Sequence, residues 1–189
     1  VTGDGPRVYL AGPDVFLPDA LAIADAKRAI CADQGLVGCF PLDNRVDAPP
    51  GASRARAIHD ANLAMMAGCV AVIANLTPFR GPNADDGTAF EVGWFAARGR
   101  PIAAYLNDDR PLFQRTPTIG GRDMDGLEVE DFGWPLNLML VAAVEAAGGQ
   151  VVAGAAIDRH RDLGLFRIAC AALAPRLRRS WRPSPSVAT

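Results

Sequence analysis

Four short apolar runs alternate with segments of helical period, and this alternation restricts the fold more than any other feature of the chain. Residues 7–11, 36–40, 70–76 and 102–106 read as strands. Residues 19–34 read as a helix, with Ala20, Ile23, Ala24, Ala29 and Ile30 near helical spacing and Gly35 as its stop. Ser53 can cap a second helix that runs to about Ala67 and ends at Gly68. A third spans about residues 86–98, closed by Gly99 and followed by Pro101. Strand and helix in strict alternation call for a parallel α/β sheet, doubly wound, with helices on both faces.

Beyond the fourth strand the pattern loosens. Residues 107–133 are long and polar, and loops of that length act as lids, interfaces or mobile segments. A helix over residues 135–147 follows, then Gly148-Gly149 and a final helix over residues 158–179. The basic residues near that helix's C-terminal end suit its dipole. Residues 1–181 are expected to form one domain, and the Pro/Ser-rich residues 182–189 a disordered tail.

Composition excludes several classes. A length of 189 residues, half of them hydrophobic, suffices for one real core. A net charge of -2 gives no reason to expect nucleic acid or an anionic membrane as partner. The single lysine, Lys27, stands against 18 arginines, which reads as the codon bias of a GC-rich genome. Cys31, Cys39, Cys69 and Cys170 are scattered without a Cys-x-x-Cys pair, as expected of buried thiols in a reducing cytoplasm. Residues 1–7 lack the apolar core of a signal peptide, and no apolar run is long enough to span a bilayer. His59 and His160 have no ligand spacing, so a histidine-built metal site is not expected and each reads as a surface or capping residue.

Chemistry concentrates in Asp85-Asp86-Gly87-Thr88-Ala89-Phe90-Glu91-Val92-Gly93-Trp94. This segment opens a helix after the third strand and its turn-rich loop, which is where open α/β sheets build ligand sites. Glu91 stands among large apolar residues, with Gly87, Ala89 and Gly93 leaving room for a ligand to approach. Asp85 or Asp86 can cap the helix or serve as acid and base. Tyr9, at the end of the first strand, can reach a carboxylate at the sheet's C-terminal edge or can be a core aromatic. Asn62, late in the second helix, reads by itself as an exposed polar residue. Asn137, among apolar residues, needs partners for its amide and can be a cap, a ligand or an interface group. Gly12-Pro13 belongs to no glycine-rich phosphate loop, which weighs against dinucleotide or ATP chemistry.

Five segments in order resemble the nucleoside 2-deoxyribosyltransferase family. They are Val8-Tyr9-Leu10-Ala11-Gly12-Pro13, Pro41-Leu42-Asp43-Asn44, Ala74-Asn75-Leu76-Thr77-Pro78-Phe79-Arg80-Gly81, the run from Asp85 to Gly93, and Pro135-Leu136-Asn137-Leu138-Met139. The resemblance implies a flavodoxin-like fold and a double displacement at C1′ of a 2′-deoxynucleoside, with no metal or organic cofactor. It implies Glu91 as nucleophile, Asp85 as the acid that protonates the leaving base, and Tyr9 as the group that orients the nucleophile. Asp14, Phe16, Asn62 and Gly87 fall at substrate-contacting positions. Asn137 and Met139 do so too, with Asn137 lent by a neighbouring subunit of a homo-oligomer to hold the 5′-hydroxyl. Asn62 and Val70 stand where some members carry Asp. The implied partners are 2′-deoxynucleosides and free bases. Purine or pyrimidine preference is left to the loops around Asp14, Phe16, Arg45 and residues 107–133.

Three other readings compete. A hydrolytic N-glycosidase of nucleotides or modified nucleosides would pass the sugar to water; an acidic Asp14 beside a phosphate argues against a 5′-nucleotide. A nucleoside sensor would bind without turnover. An FMN carrier wants a Ser/Thr-rich loop that Gly12-Pro13-Asp14-Val15-Phe16 does not supply.

Overall fold

The five strands of the sheet lie in the order β2-β1-β3-β4-β5, and all neighbours are parallel. They are β1 (Arg7–Ala11), β2 (Val37–Cys39), β3 (Ala71–Asn75), β4 (Ile102–Leu106) and β5 (Val151–Ala153). This computed structural model describes residues 5–181. The strand order is that of the flavodoxin-like fold, as expected, and its switch point lies between β1 and β3. Every residue of β3 and β4 is buried. Central parallel strands are covered on both faces, so they take continuous apolar runs instead of alternating ones.

Each face carries its own core. On one, α1 (Ala20–Asp33) and α6 (Gly164–Ser180) contribute Ile30, Phe166 and Leu173 against Val8 and Leu10 of β1. On the other, α2 (Ala52–Ala67), α3 (Asp86–Ala96) and α5 (Leu138–Ala146) contribute Met66, Val92, Phe95 and Val144 against Tyr9 and Ala11. Successive side chains of a strand point to opposite faces. That alternation puts Tyr9 on the face where α3 lies.

The fourth-strand pattern extends one strand further than the sequence reading had it. β5 pairs with β4 from Ala104↔Val151 to Leu106↔Ala153. Gly149 admits it: a Cβ there would stand 2.0 Å from the carbonyl oxygen of Ile102. The last helix begins at Gly164, not near Asp158, and α5 begins at Leu138, not at Pro135. Residues 107–133 are not featureless either. They hold the short α4 (Leu112–Arg115) and antiparallel bridges Ile119↔Arg122 and Arg122↔Glu128. The Arg115 guanidinium donates to the carbonyls of Pro82 and Pro135 and ties this segment to the body. All four cysteines are free and buried. The expected tail, residues 182–189, lies outside the described residues. Among the described residues no helix is long and apolar enough to cross a membrane.

Candidate active site

At the β1/β3 switch point the Tyr9 hydroxyl donates to Glu91 Oε1 at 2.5 Å. Tyr9 is the central residue of β1, and Glu91 lies in the second turn of α3. Their meeting therefore depends on α3 packing over β1 after the crossover from β3. Burial pushes the Glu91 carboxyl up, the Tyr9 hydrogen bond opposes it, and the charge of Asp85 adds a smaller upward push; the net is a carboxyl raised to about 7. Burial, with Glu91 beside it, holds the Tyr9 phenol far above its ordinary value, so Tyr9 acts here only as a donor. A carboxyl poised near neutrality by burial in a cleft is a candidate for a functional group.

Asp85 is the N-cap of α3. Its Oδ2 accepts from both the Thr88 backbone N–H and the Thr88 hydroxyl at 2.9 Å. The capping reading and the chemical reading of Asp85 thus hold together: one oxygen fixes the helix start, and the side chain still lines the cavity that Glu91 lines. Gly87 and Glu91 sit four residues apart on that face, and Gly87 keeps the approach open.

The cavity has a volume of about 390 Å³, within the range of roughly 300–1,000 Å³ usual for small-molecule sites. One wall is Gly12, Val15 and Phe16 after β1; another is the stripe Arg54, Ile58 and Asn62 on α2. The Asn62 side chain is held by Asn44, whose Nδ2 donates to Asn62 Oδ1 at 3.1 Å. Phe16 is 56% exposed and stacks on Phe79 with ring centroids 5.1 Å apart. The Arg80 guanidinium lies over both rings, and Arg80 adopts the left-handed backbone (φ 54) that non-glycine residues seldom take. Sequence reasoning gave no role to Asn44, Arg54 or Arg80. Asn44 and Arg80 lie inside segments that resemble the family; Arg54, on a polar helix, carried no signal.

Three expected substrate contacts lie elsewhere. Asp14 is turned inward, 2% exposed, and pairs with Lys27 Nζ at 2.6 Å. Its charge is neutralised there, so repulsion between Asp14 and a phosphate has no basis in this arrangement. Asn137 caps α5, accepting from the Met139 N–H at 3.0 Å and donating to Glu130 Oε1 at 2.5 Å. Met139 is exposed beside it. Both line a separate groove between α3 and α5, on the side of α3 marked by Ala89, Gly93 and Ala96. Tyr9, Asp85, Gly87, Glu91, Phe16 and Asn62 do come together.

A family model described as nucleoside 2-deoxyribosyltransferase matches residues 8–139, more than half of the chain and all the strands that build the cavity. The chain belongs to this family. Its similarity to an uncharacterised protein of Schizosaccharomyces pombe, 33% identical, covers 91% of this chain and 90% of that one, and so continues past the family match. The structure resembles a 2-desoxiribosyltransferase from Leishmania mexicana, with TM-score 0.62 and 39% identity over 71% of this chain and 85% of that one. A conserved protein from Enterococcus faecalis, 18% identical with TM-score 0.54 over 94% and 99% of the two chains, shares the fold. So does the 2-deoxyribosyltransferase of Bacillus psychrosaccharolyticus, at 16% identity and TM-score 0.50 over 73% and 82%.

Proposed function

We propose that the chain exchanges the base of 2′-deoxynucleosides by double displacement through Glu91. The observation that carries this reading is the Glu91 carboxylate on the cavity wall, held by Tyr9 and flanked by Asp85. In the first half, a Glu91 oxygen bonds to C1′ while the N-glycosidic bond breaks. The bonding pair leaves with the base, and Asp85 supplies its proton. In the second half, Asp85 takes the proton from an incoming base, whose nitrogen attacks C1′ and releases Glu91. Retaining glycosidases divide two carboxyl groups in the same way around an oxocarbenium-like transition state. Atoms and charge balance with protein groups alone, so no metal or organic cofactor enters the reading. Its setting is nucleoside salvage in the cytoplasm.

The Phe16 face offers a surface on which a planar base can stack, and the Asn62 amide offers hydrogen bonds to its edge. Asn137 and Met139 face away from their own cavity, so in this reading they serve the sugar held by a neighbouring subunit.

The test is chromatography of the protein with 2′-deoxyinosine, with and without free adenine, beside Glu91→Ala. A new deoxynucleoside formed only with the acceptor, and a loss of at least about 10³-fold in the variant, is the expected outcome. Hypoxanthine released equally without acceptor would replace transfer by hydrolysis. Binding without turnover would make the protein a sensor.

A further inference from the structure

We propose that Asp14, Lys27 and Asn75 form a buried positioning unit that fixes the two substrate-facing loops, after β1 and after β3, against each other. The inference rests on the cavity reading above for what those loops hold. Lys27 on α1 and Asp14 in the 3₁₀ turn Pro13–Phe16 are 1% and 2% exposed and meet at 2.6 Å. Asn75, at the end of β3, donates from Nδ2 to Asp14 Oδ1 at 3.1 Å, and its own Oδ1 accepts from the Thr77 N–H at 3.1 Å. One carboxylate thus joins a helix beneath the sheet edge to both loops above it.

Stability alone does not account for this pair. A buried ion pair generally gives no more stability than apolar residues of the same volume, because both charges lose their water. The choice of cation also has a physical reason. In a chain with 18 arginines, the single lysine stands where Nζ sits 5.5 Å from the Tyr105 ring and 5.2 Å from the Phe166 ring and reaches one carboxylate oxygen. A compact ammonium fits between two rings; a planar five-donor fork would leave donors unpaired there. The expectation that Lys27 reflects only codon bias does not explain its position.

The unit abuts the cavity directly. A Cβ on Gly12 would stand 2.5 Å from Asp14 Oδ2 and 2.7 Å from Asn75 Cβ, and Gly12, Val15 and Phe16 all line the cavity. Phe16 in turn stacks on Phe79 of the second loop. The loops are therefore tied twice, by carboxylate and amide below and by stacked rings above. Asp14 acts through Gly12 and Phe16 and is a positioning residue.

Two variants separate positioning from general stability. Asn75→Ala cuts the polar link between the loops and keeps the ion pair. Asp14→Asn with Lys27→Met removes both charges without stranding either. Both are measured for kcat and KM with a deoxynucleoside, and for backbone hydrogen exchange. The expected result is a KM raised about tenfold or more, with kcat within about threefold of the parent. Exchange should quicken about tenfold or more at residues 13–17 and 77–84, while β3 and β4 keep their protection. Unchanged KM with unchanged loop exchange would overturn the proposal, and so would a loss of protection spread evenly through β3 and β4. If the parent protein turns over no deoxynucleoside, the proposed function fails, and the exchange data alone decide this inference by the same criteria.

Discussion

At Glu91 burial and hydrogen bonding act in opposite directions on one carboxyl, and the balance lies near neutral pH. The folded protein holds the Glu91 proton up to about pH 7, whereas an unfolded chain releases it near 4.5. Between those values the native state binds the extra proton, so this group's contribution to stability falls as pH rises and is lowest above pH 7. Replacing Glu91 by Gln should therefore stabilise the protein by about 1–3 kcal/mol at pH 8 and change little at pH 4, as denaturant unfolding at the two pH values will report. A nucleophile must be ionised, so kcat/KM should rise with pH through a limb near 7. Tyr9→Phe removes the hydrogen bond that favours the anion and should move that limb up by about one pH unit or more. A limb unmoved by Tyr9→Phe would detach Tyr9 from Glu91 in the working site. Glu91 was legible from its apolar flanks in a helix that follows a buried strand, and the roles of Tyr9 and Asp85 from the family resemblance. The burial of Asp14 was not, because it depends on Lys27, 13 residues on in the middle of α1, and no local pattern marks that pairing.

The helix α2 is the least embedded wall of the cavity. Met66 is its one buried residue, near its C-terminal end, where the Arg100 guanidinium donates to the carbonyls of Met66 and Ala67 and to that of Cys69 beyond the helix. Its inward stripe, Arg54, Ile58 and Asn62, recurs every four residues and faces the cavity instead of a core. Elements with few buried apolar contacts open most readily. Backbone amides of α2 should exchange faster than those of α3 in the free protein and slow by about tenfold or more when a deoxynucleoside fills the cavity. Equal protection with and without ligand would remove α2 from the binding wall. The sequence located α2 and α3 to within a few residues, because period and caps are local. It missed β5, whose apolar run Val151-Val152-Ala153 is only three residues long and half-buried or exposed at the sheet edge, short of the roughly four to eight residues by which a strand is recognised.

Across the molecule, α3 divides two cavities: Gly87 and Glu91 face one, and Ala89 and Gly93 face the groove that holds Asn137 and Met139. If Asn137 serves a neighbour's sugar, a hybrid of Glu91→Ala and Asn137→Ala subunits contains one intact site per dimer. Mixing the two inactive variants under conditions of subunit exchange should restore transfer, while a mixture that stays inactive would confine Asn137 to its capping role. The parallel sheet and the place of the site after β3 were legible from the alternation of elements; the strand order and the assignment of Asn137 to a neighbouring site came from the family resemblance, because no local pattern tells on which side of α3 the next helix packs.

The most direct test of the double displacement is mass spectrometry of protein quenched during reaction with 2′-deoxyinosine in the absence of acceptor. The expected result is a deoxyribosyl adduct on the peptide containing Glu91, which disappears on addition of free adenine as the new deoxynucleoside forms. Base exchange at full rate with no adduct at any time, or with an adduct on another residue, would contradict the assignment of Glu91 as the nucleophile.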